Sequence, residues 1–294
     1  MFEASSYYPC KKPFDEYFWA KNERSEIKFN RRLHKKKYRK MTLIIAAKCQ
    51  DGIVLVGDRK VSGSERYANK IRMLEQLPIV FTAGGIEPLF EEFLEQVEKA
   101  ALWKYNWIQE ENKNQPESLH QVFTATDFKH TCVETLKRMK AIYTELEQST
   151  SFEYALQVFF VLPEQRNGQD DVTLYKMNME DCFPNPVEAG KVSAIGNHYL
   201  GKPFLKSLEN KNETLFMKDV ARVASFVIKY IEIEKLDSNN GIGVGDFDPQ
   251  IWYVTPKQAR EIPQDELSEL LKGVEDEIKK FRETIGSESS FLRS

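Results

Sequence analysis

Apolar and polar residues alternate along this chain in two distinct periods, and the changes of period divide it into elements. Residues 42–49 (TLIIAAKC) and 52–58 (GIVLVGD) are apolar, β-branched runs joined at Gln50-Asp51-Gly52. An Asp-Gly pair between two such runs predicts a hairpin. Residues 59–69 are polar and read as a turn or loop around Ser62-Gly63-Ser64. Short strands are expected over 70–74 and 78–82, ended by Ala83-Gly84-Gly85. The period then lengthens. Residues 86–103 and 119–147 carry apolar groups at helical spacing, the second through Val122, Phe123, Phe128, Val133, Leu136, Met139, Ile142 and Leu146. The polar stretch NWIQEENKNQPES between them reads as a connection.

A second β section follows over 154–163, 171–178 and 191–196, with a turn at Arg166-Asn167-Gly168. Residues 199–208 and 215–235 read as helices, and 241–248 as a Gly/Asp-rich loop. Residues 250–255 (QIWYVT) form a last strand, and 264–285 an amphipathic helix ahead of a Ser-rich tail. The order is strands, two helices, strands, two helices, strand, helix. It implies one α+β domain over 42–294 in which sheets stack and helices cover the outside. There are no internal repeats.

Composition supports a full core: 294 residues, 41% hydrophobic. The net charge of -3 gives no reason to expect nucleic acid, but it is unevenly spread. Residues 1–40 hold twelve Lys/Arg against five Asp/Glu, so a basic arm precedes an acidic body. That arm is aromatic, aperiodic and without the apolar core of a secretory signal. Residues 1–41 are expected to be a disordered extension, a start read too early, or a propeptide. The cysteines, Cys10, Cys49, Cys132 and Cys182, are scattered, with no C-x-x-C pair. Neither a zinc site nor a disulfide framework is suggested, and an intracellular, cytoplasmic protein is expected. No run is long enough for a membrane helix.

Four residues of the first half form one chemical proposition. Thr42 opens a strand, Asp58 ends the second, Lys70 opens the third and Gly84 lies at the end of the fourth. An N-terminal threonine would bring a nucleophilic hydroxyl and an α-amine base, reference pKa ~8, within one residue. An ammonium such as Lys70 would lower the amine pKa and favour the alkoxide, while Asp58 would hold that ammonium. Gly84 would let a backbone N–H approach a carbonyl oxygen. Singly, each has an ordinary reading: strand-end charges, a turn, a strand residue. Only the set in this order carries the chemistry.

On these residues the segment TLIIAAKCQDGIVLVGDRKVS…NKIRML…IVFTAGG…LFEEFLEQV resembles the start of a proteasome β-type subunit. It is equally similar to the peptidase of the proteasome's bacterial two-component relative. Both are N-terminal nucleophile (Ntn) hydrolases. The resemblance implies a four-layer αββα sandwich of two mostly antiparallel sheets covered by helices. It casts Thr42 as nucleophile, Asp58 and Lys70 as its partners and Gly84 as the oxyanion glycine. SAIGNHYLGKPFLKSLE and LDSNNG resemble two later steps of the family, placing Asp237 as a supporting aspartate. Asn197 and Asn240 fall where the family usually has serines near the amine. An amide hydrogen-bonds but relays protons poorly. Leu43 replaces a common second threonine, and the loop between Asp58 and Lys70 is a few residues short.

The resemblance covers roughly 42–256. It implies a threonine-type endopeptidase without cofactor or metal, acting on peptides or unfolded protein inside a ring, with an ATP-dependent unfoldase as partner. A transpeptidase or amidase, motivated by the two asparagines, and a silent assembly subunit retaining residues 1–41 are the alternatives. Elsewhere, His198 reads as a helix-start residue. His34, His120 and His130 lack partners at metal spacing. The run Gly241-Ile-Gly-Val-Gly precedes a strand, which rules out a dinucleotide loop. Asp246 and Asp248 read as a solvated loop, and Arg31–Lys40 as an unstructured arm without nucleic acid to bind.

Overall fold

The computed structural model describes residues 42–60, 68–74, 79–85, 87–113, 115–146, 155–166, 168–196, 205–206, 215–233 and 248–291. All of them belong to the unit Tyr38–Ser294. The strands are β1 (Leu43–Cys49), β2 (Gly52–Gly57), β3 (Ile71–Leu74), β4 (Ile79–Gly85), β5 (Leu156–Arg166), β6 (Gln169–Asn178), β7 (Asn185–Pro186), β8 (Val192–Gly196), β9 (Gln250–Val254) and β10 (Ala259–Glu261). The helices are α1 (Glu87–Lys113), α2 (Ala125–Leu146), α3 (Met217–Ile233), α4 (Gln264–Leu271) and α5 (Val274–Phe291), with one 3-10 turn at Glu117–Leu119.

The strands form two five-stranded sheets, β10-β9-β2-β1-β8 and β3-β4-β5-β6-β7. Every pairing of these strands is antiparallel. A strand covered on both faces must be apolar on both, and β1 shows this directly. Ile44 and Ala46 join Ile53, Leu55, Phe159, Val161 and Leu174 in the core between the sheets. Leu43, Ile45 and Ala47 point the other way, into a core made with α3, α4 and α5. Each fully buried aliphatic side chain there contributes about 1.5–3 kcal/mol. On the far side, α1 and α2 cover β4 and β5. Edge-to-face contacts of Phe128 with Phe81 and with Phe160 seal that layer. The result is the expected α+β sandwich: helices, sheet, sheet, helices.

Several boundaries depart from the sequence pattern, each for a local reason. Helix α1 runs through the polar stretch NWIQEENK, anchored by buried Ile108, and ends ahead of Pro116. Helix α2 starts at Ala125, because Thr124 and Asp127 cap it reciprocally. The Asp127 N–H donates to Thr124 Oγ1 (3.2 Å), and the Thr124 N–H to Asp127 Oδ2 (2.8 Å).

The C-terminal helix is two helices. Gly273 takes a left-handed φ of 80° between α4 and α5. Arg222 of α3 donates to the carbonyls of Leu270 (2.6 Å) and Lys272 (3.0 Å) and pairs with Glu277 (2.7 Å), which satisfies the broken end. The edge strands β7 and β10 are too short to show a period. The helix expected over 199–208 and the loop over 241–248 lie almost wholly outside the described residues.

Candidate active site

Thr42, Asp58, Lys70 and Gly84 come together where the ends of β1, β2, β3 and β4 meet between the sheets. The backbone sets this up. The Asp58 N–H donates to the Leu43 carbonyl (3.1 Å), which continues the β1–β2 ladder one residue past the hairpin strands. The Asp58 carboxylate turns back over the start of β1. Its Oδ1 accepts the Leu43 N–H (2.8 Å) and the Thr42 hydroxyl. Its Oδ2 accepts from Lys70 Nζ at 2.8 Å. The same ammonium donates to Thr42 Oγ1 at 2.6 Å and to the Lys60 carbonyl at 2.6 Å.

All three side chains are buried, with Thr42, Asp58 and Lys70 at 1%, 0% and 1% exposure. Burial pushes the Asp58 carboxyl above its usual value; the Lys70 ammonium, the Thr42 hydroxyl and the Leu43 N–H pull the other way. In this setting an ion pair costs desolvation that its hydrogen bonds must offset. Every oxygen of Asp58 has a donor, as that requires.

Gly84 lies against the threonine. A Cβ built there would stand 2.7 Å from Thr42 Cγ2 and 3.3 Å from Ile195 Cγ1, so only glycine fits. Gly196, at the end of β8, has φ 80° and would place a Cβ 1.9 Å from the Thr42 carbonyl oxygen. The two glycines let β4 and β8 close around Thr42. Asp237, Asn197 and Asn240, the other expected site residues, lie outside the described residues, as does His198.

Three neighbours went unread in the sequence. Thr82 Oγ1 donates to the Lys70 carbonyl (2.8 Å). Gln157 Oε1 accepts the Gly196 N–H (2.9 Å). Gln250 bonds both backbone groups of Ile71: its Oε1 accepts the N–H and its Nε2 donates to the carbonyl, each at 2.9 Å. All three are buried polar residues inside apolar strands, and each is hydrogen-bonded as burial requires. Asp248, read as solvated, is instead an anchor. Its carboxylate faces Lys229 (3.2 Å) and accepts from Gln264 (2.9 Å), and its carbonyl accepts from Arg59 Nε (2.8 Å). No cluster of three or more His, Cys, Asp or Glu suited to a metal occurs among the described residues. No described helix is long and apolar enough to cross a membrane.

No family model matches the chain, and no curated protein matches it. Solved structures do match it in fold. One is Anbu, termed an ancestral beta-subunit, from Yersinia bercovieri: TM-score 0.55, 13% identity, covering 83% of this chain and 97% of that one. Another is an Anbu (Gly-1) mutant from Hyphomicrobium sp. strain MC1: TM-score 0.51, 14% identity, covering 81% and 95%. At such identity the likeness shows the fold alone. That fold is the α+β sandwich of the Ntn hydrolase type.

Proposed function

We propose that this protein is a threonine-type peptidase in which Thr42, freed as an N-terminus, is the nucleophile. The observation that supports it most is the contact set around Thr42 Oγ1, which touches both Lys70 Nζ and the Asp58 carboxylate in a buried site. The reaction is acyl transfer. The Thr42 α-amine takes the hydroxyl proton as Oγ1 bonds to the peptide carbonyl carbon. The C–N bond breaks, and that proton leaves with the departing amine. Water, deprotonated by the same amine, then hydrolyses the ester. Lys70 stabilises the forming alkoxide, Asp58 holds Lys70 charged, and the Gly84 N–H serves the oxyanion. Asp237, Asn197 and Asn240 support the amine. Residues 1–41 are absent from the active form, either because Met41 begins it and is trimmed or because the chain is cleaved after Met41. The active species is a ring inside the cell, fed with unfolded protein by an ATP-dependent partner.

One observation favours a second reading. In the chain that keeps residues 1–41, the Thr42 nitrogen is a peptide amide, not a base, and Thr42 is buried. That form is a silent assembly subunit. The intact mass of the protein from its native cells decides between the two. A mass beginning at Thr42, with a tripeptide vinyl sulfone adduct on that residue, supports the peptidase. A mass including residues 1–41 without adduct supports the silent subunit.

A further inference from the structure

Lys70 sits at a mechanically weak place. It immediately precedes β3, a four-residue strand whose one strand partner among the described residues is β4. Ahead of it lies the connection from Asp58. An edge strand leaves every second residue's N–H and C=O pointing away from its neighbour. Ile71 is such a residue, and the Gln250 side-chain amide takes both of its outward groups at 2.9 Å. A primary amide offers one acceptor and two donors. It therefore stands in for the missing strand over one residue.

Gln250 also belongs to the opposite sheet. It opens β9 and lies opposite Gly57 in the β2–β9 ladder, one residue before Asp58. Gly57 itself lies beside Ile71, since a Cβ built on it would stand 3.4 Å from Ile71 Cδ1, at ordinary contact distance. One buried side chain thus ties the backbone beside Lys70 to the backbone beside Asp58, across two sheets.

We infer that Gln250 is a positioning residue for the Thr42 reaction: its amide clamps Ile71 and so holds the Lys70 ammonium on Thr42 Oγ1 and Asp58. This rests on the reading of Thr42 as nucleophile. The clamp acts through Lys70 and touches no reacting atom. A shift of about 1 Å in such a group can cost on the order of a hundredfold in rate.

The test uses the mature protein with two readouts. One is the rate of Thr42 labelling by a tripeptide vinyl sulfone across pH, normalised to folded protein. In that reaction Oγ1 adds to the vinyl carbon and a proton passes to the neighbouring carbon. The other is hydrogen exchange at the Ile71 amide. Gln250→Leu is expected to slow labelling by roughly tenfold or more at every pH and to expose the Ile71 amide to exchange. Gln250→Glu separates positioning from packing. Its protonated carboxyl presents one donor and one acceptor, like the amide, while the carboxylate repels the Ile71 carbonyl. Labelling and Ile71 protection should stand near wild type at acid pH and fall together as that carboxyl ionises.

Labelling by Gln250→Leu that equals wild type, with only thermal stability lowered, overturns the positioning role and leaves the nucleophile standing. If Gln250→Leu does not fold, Gln250→Glu decides: a pH-independent ratio to wild type overturns the role. Wild type and Thr42→Ala both unlabelled, with Ile71 still protected, overturns the nucleophile and the positioning role with it.

Discussion

Gly84 and Thr42 are in such close contact that a single added methyl would drive them apart, with a Cβ on Gly84 standing 2.7 Å from Thr42 Cγ2. Gly84→Ala therefore moves either Thr42 or β4. Overpacking of this kind costs about 1–3 kcal/mol, which a core of this size survives. The expected result is a folded protein with a modestly lowered melting temperature and a disproportionate loss of Thr42 labelling per folded molecule. Labelling reduced no more than stability would show that the close approach is packing alone.

Asp58 and Lys70 form a fully buried ion pair at 2.8 Å. Removing one partner leaves the other charge in a dry site, at a cost of about 3–5 kcal/mol. Asp58→Asn and Lys70→Met should each show that loss in urea unfolding and should each abolish Thr42 labelling. The double variant removes both charges, so its destabilisation should fall well below the sum of the two. Its activity should stay absent. An additive double variant would mean that the two groups do not interact energetically.

Burial, followed by the nearby charges of Asp51 and Asp219, pushes the Cys49 thiol from 9.0 up to about 12. Tyr253 is likewise raised to about 12, chiefly by burial. A folded-state pKa above the unfolded value means that the folded chain binds the proton more tightly. The corresponding stability is complete below pH 9 and is lost as pH rises towards 12. Melting temperature should fall between pH 9 and 10.5, and less steeply in Cys49→Ala than in wild type. Parallel curves would count against this. In the native protein at pH 8, Cys49, Cys132 and Cys182, all buried, should resist iodoacetamide and react after unfolding.

At Gly273 the left-handed φ of 80° imposes a direct cost on any side chain. Gly273→Ala should destabilise by about 1–2 kcal/mol, read from denaturant unfolding, with no effect on Thr42 chemistry. An unchanged midpoint would mean that α4 and α5 can join without penalty.

The hairpin of β1 and β2 was legible because two β-branched runs meet at Asp51-Gly52, a signal local to ten residues. So was the meeting of Thr42, Asp58, Lys70 and Gly84 in space, since each sits at a strand end that the pattern marks. The glutamine links were not legible. Gln157 and Gln250 stand in LQVFFVL and QIWYV, where one amide reads as an exposed position. Only the stacking of two sheets reveals that each reaches across the gap. The break at Gly273 was hidden for a different reason. Leu267, Leu270, Leu271, Val274 and Ile278 all enter one core, so the apolar spacing runs on unbroken through a glycine that ends one helix.

Thr42 and Asp58 are carried by one sheet, Lys70 and Gly84 by the other. The site therefore works as a vernier on the alignment of the two layers. Sliding one over the other by a fraction of an ångström changes no covalent bond and little buried area, but it separates the ammonium from the hydroxyl. Conservative changes in the core between the sheets, such as Ile53→Val or Val161→Ala, lie away from the four residues yet bear on that alignment. Their mark should be found in the reactivity of Thr42 sooner than in the melting temperature.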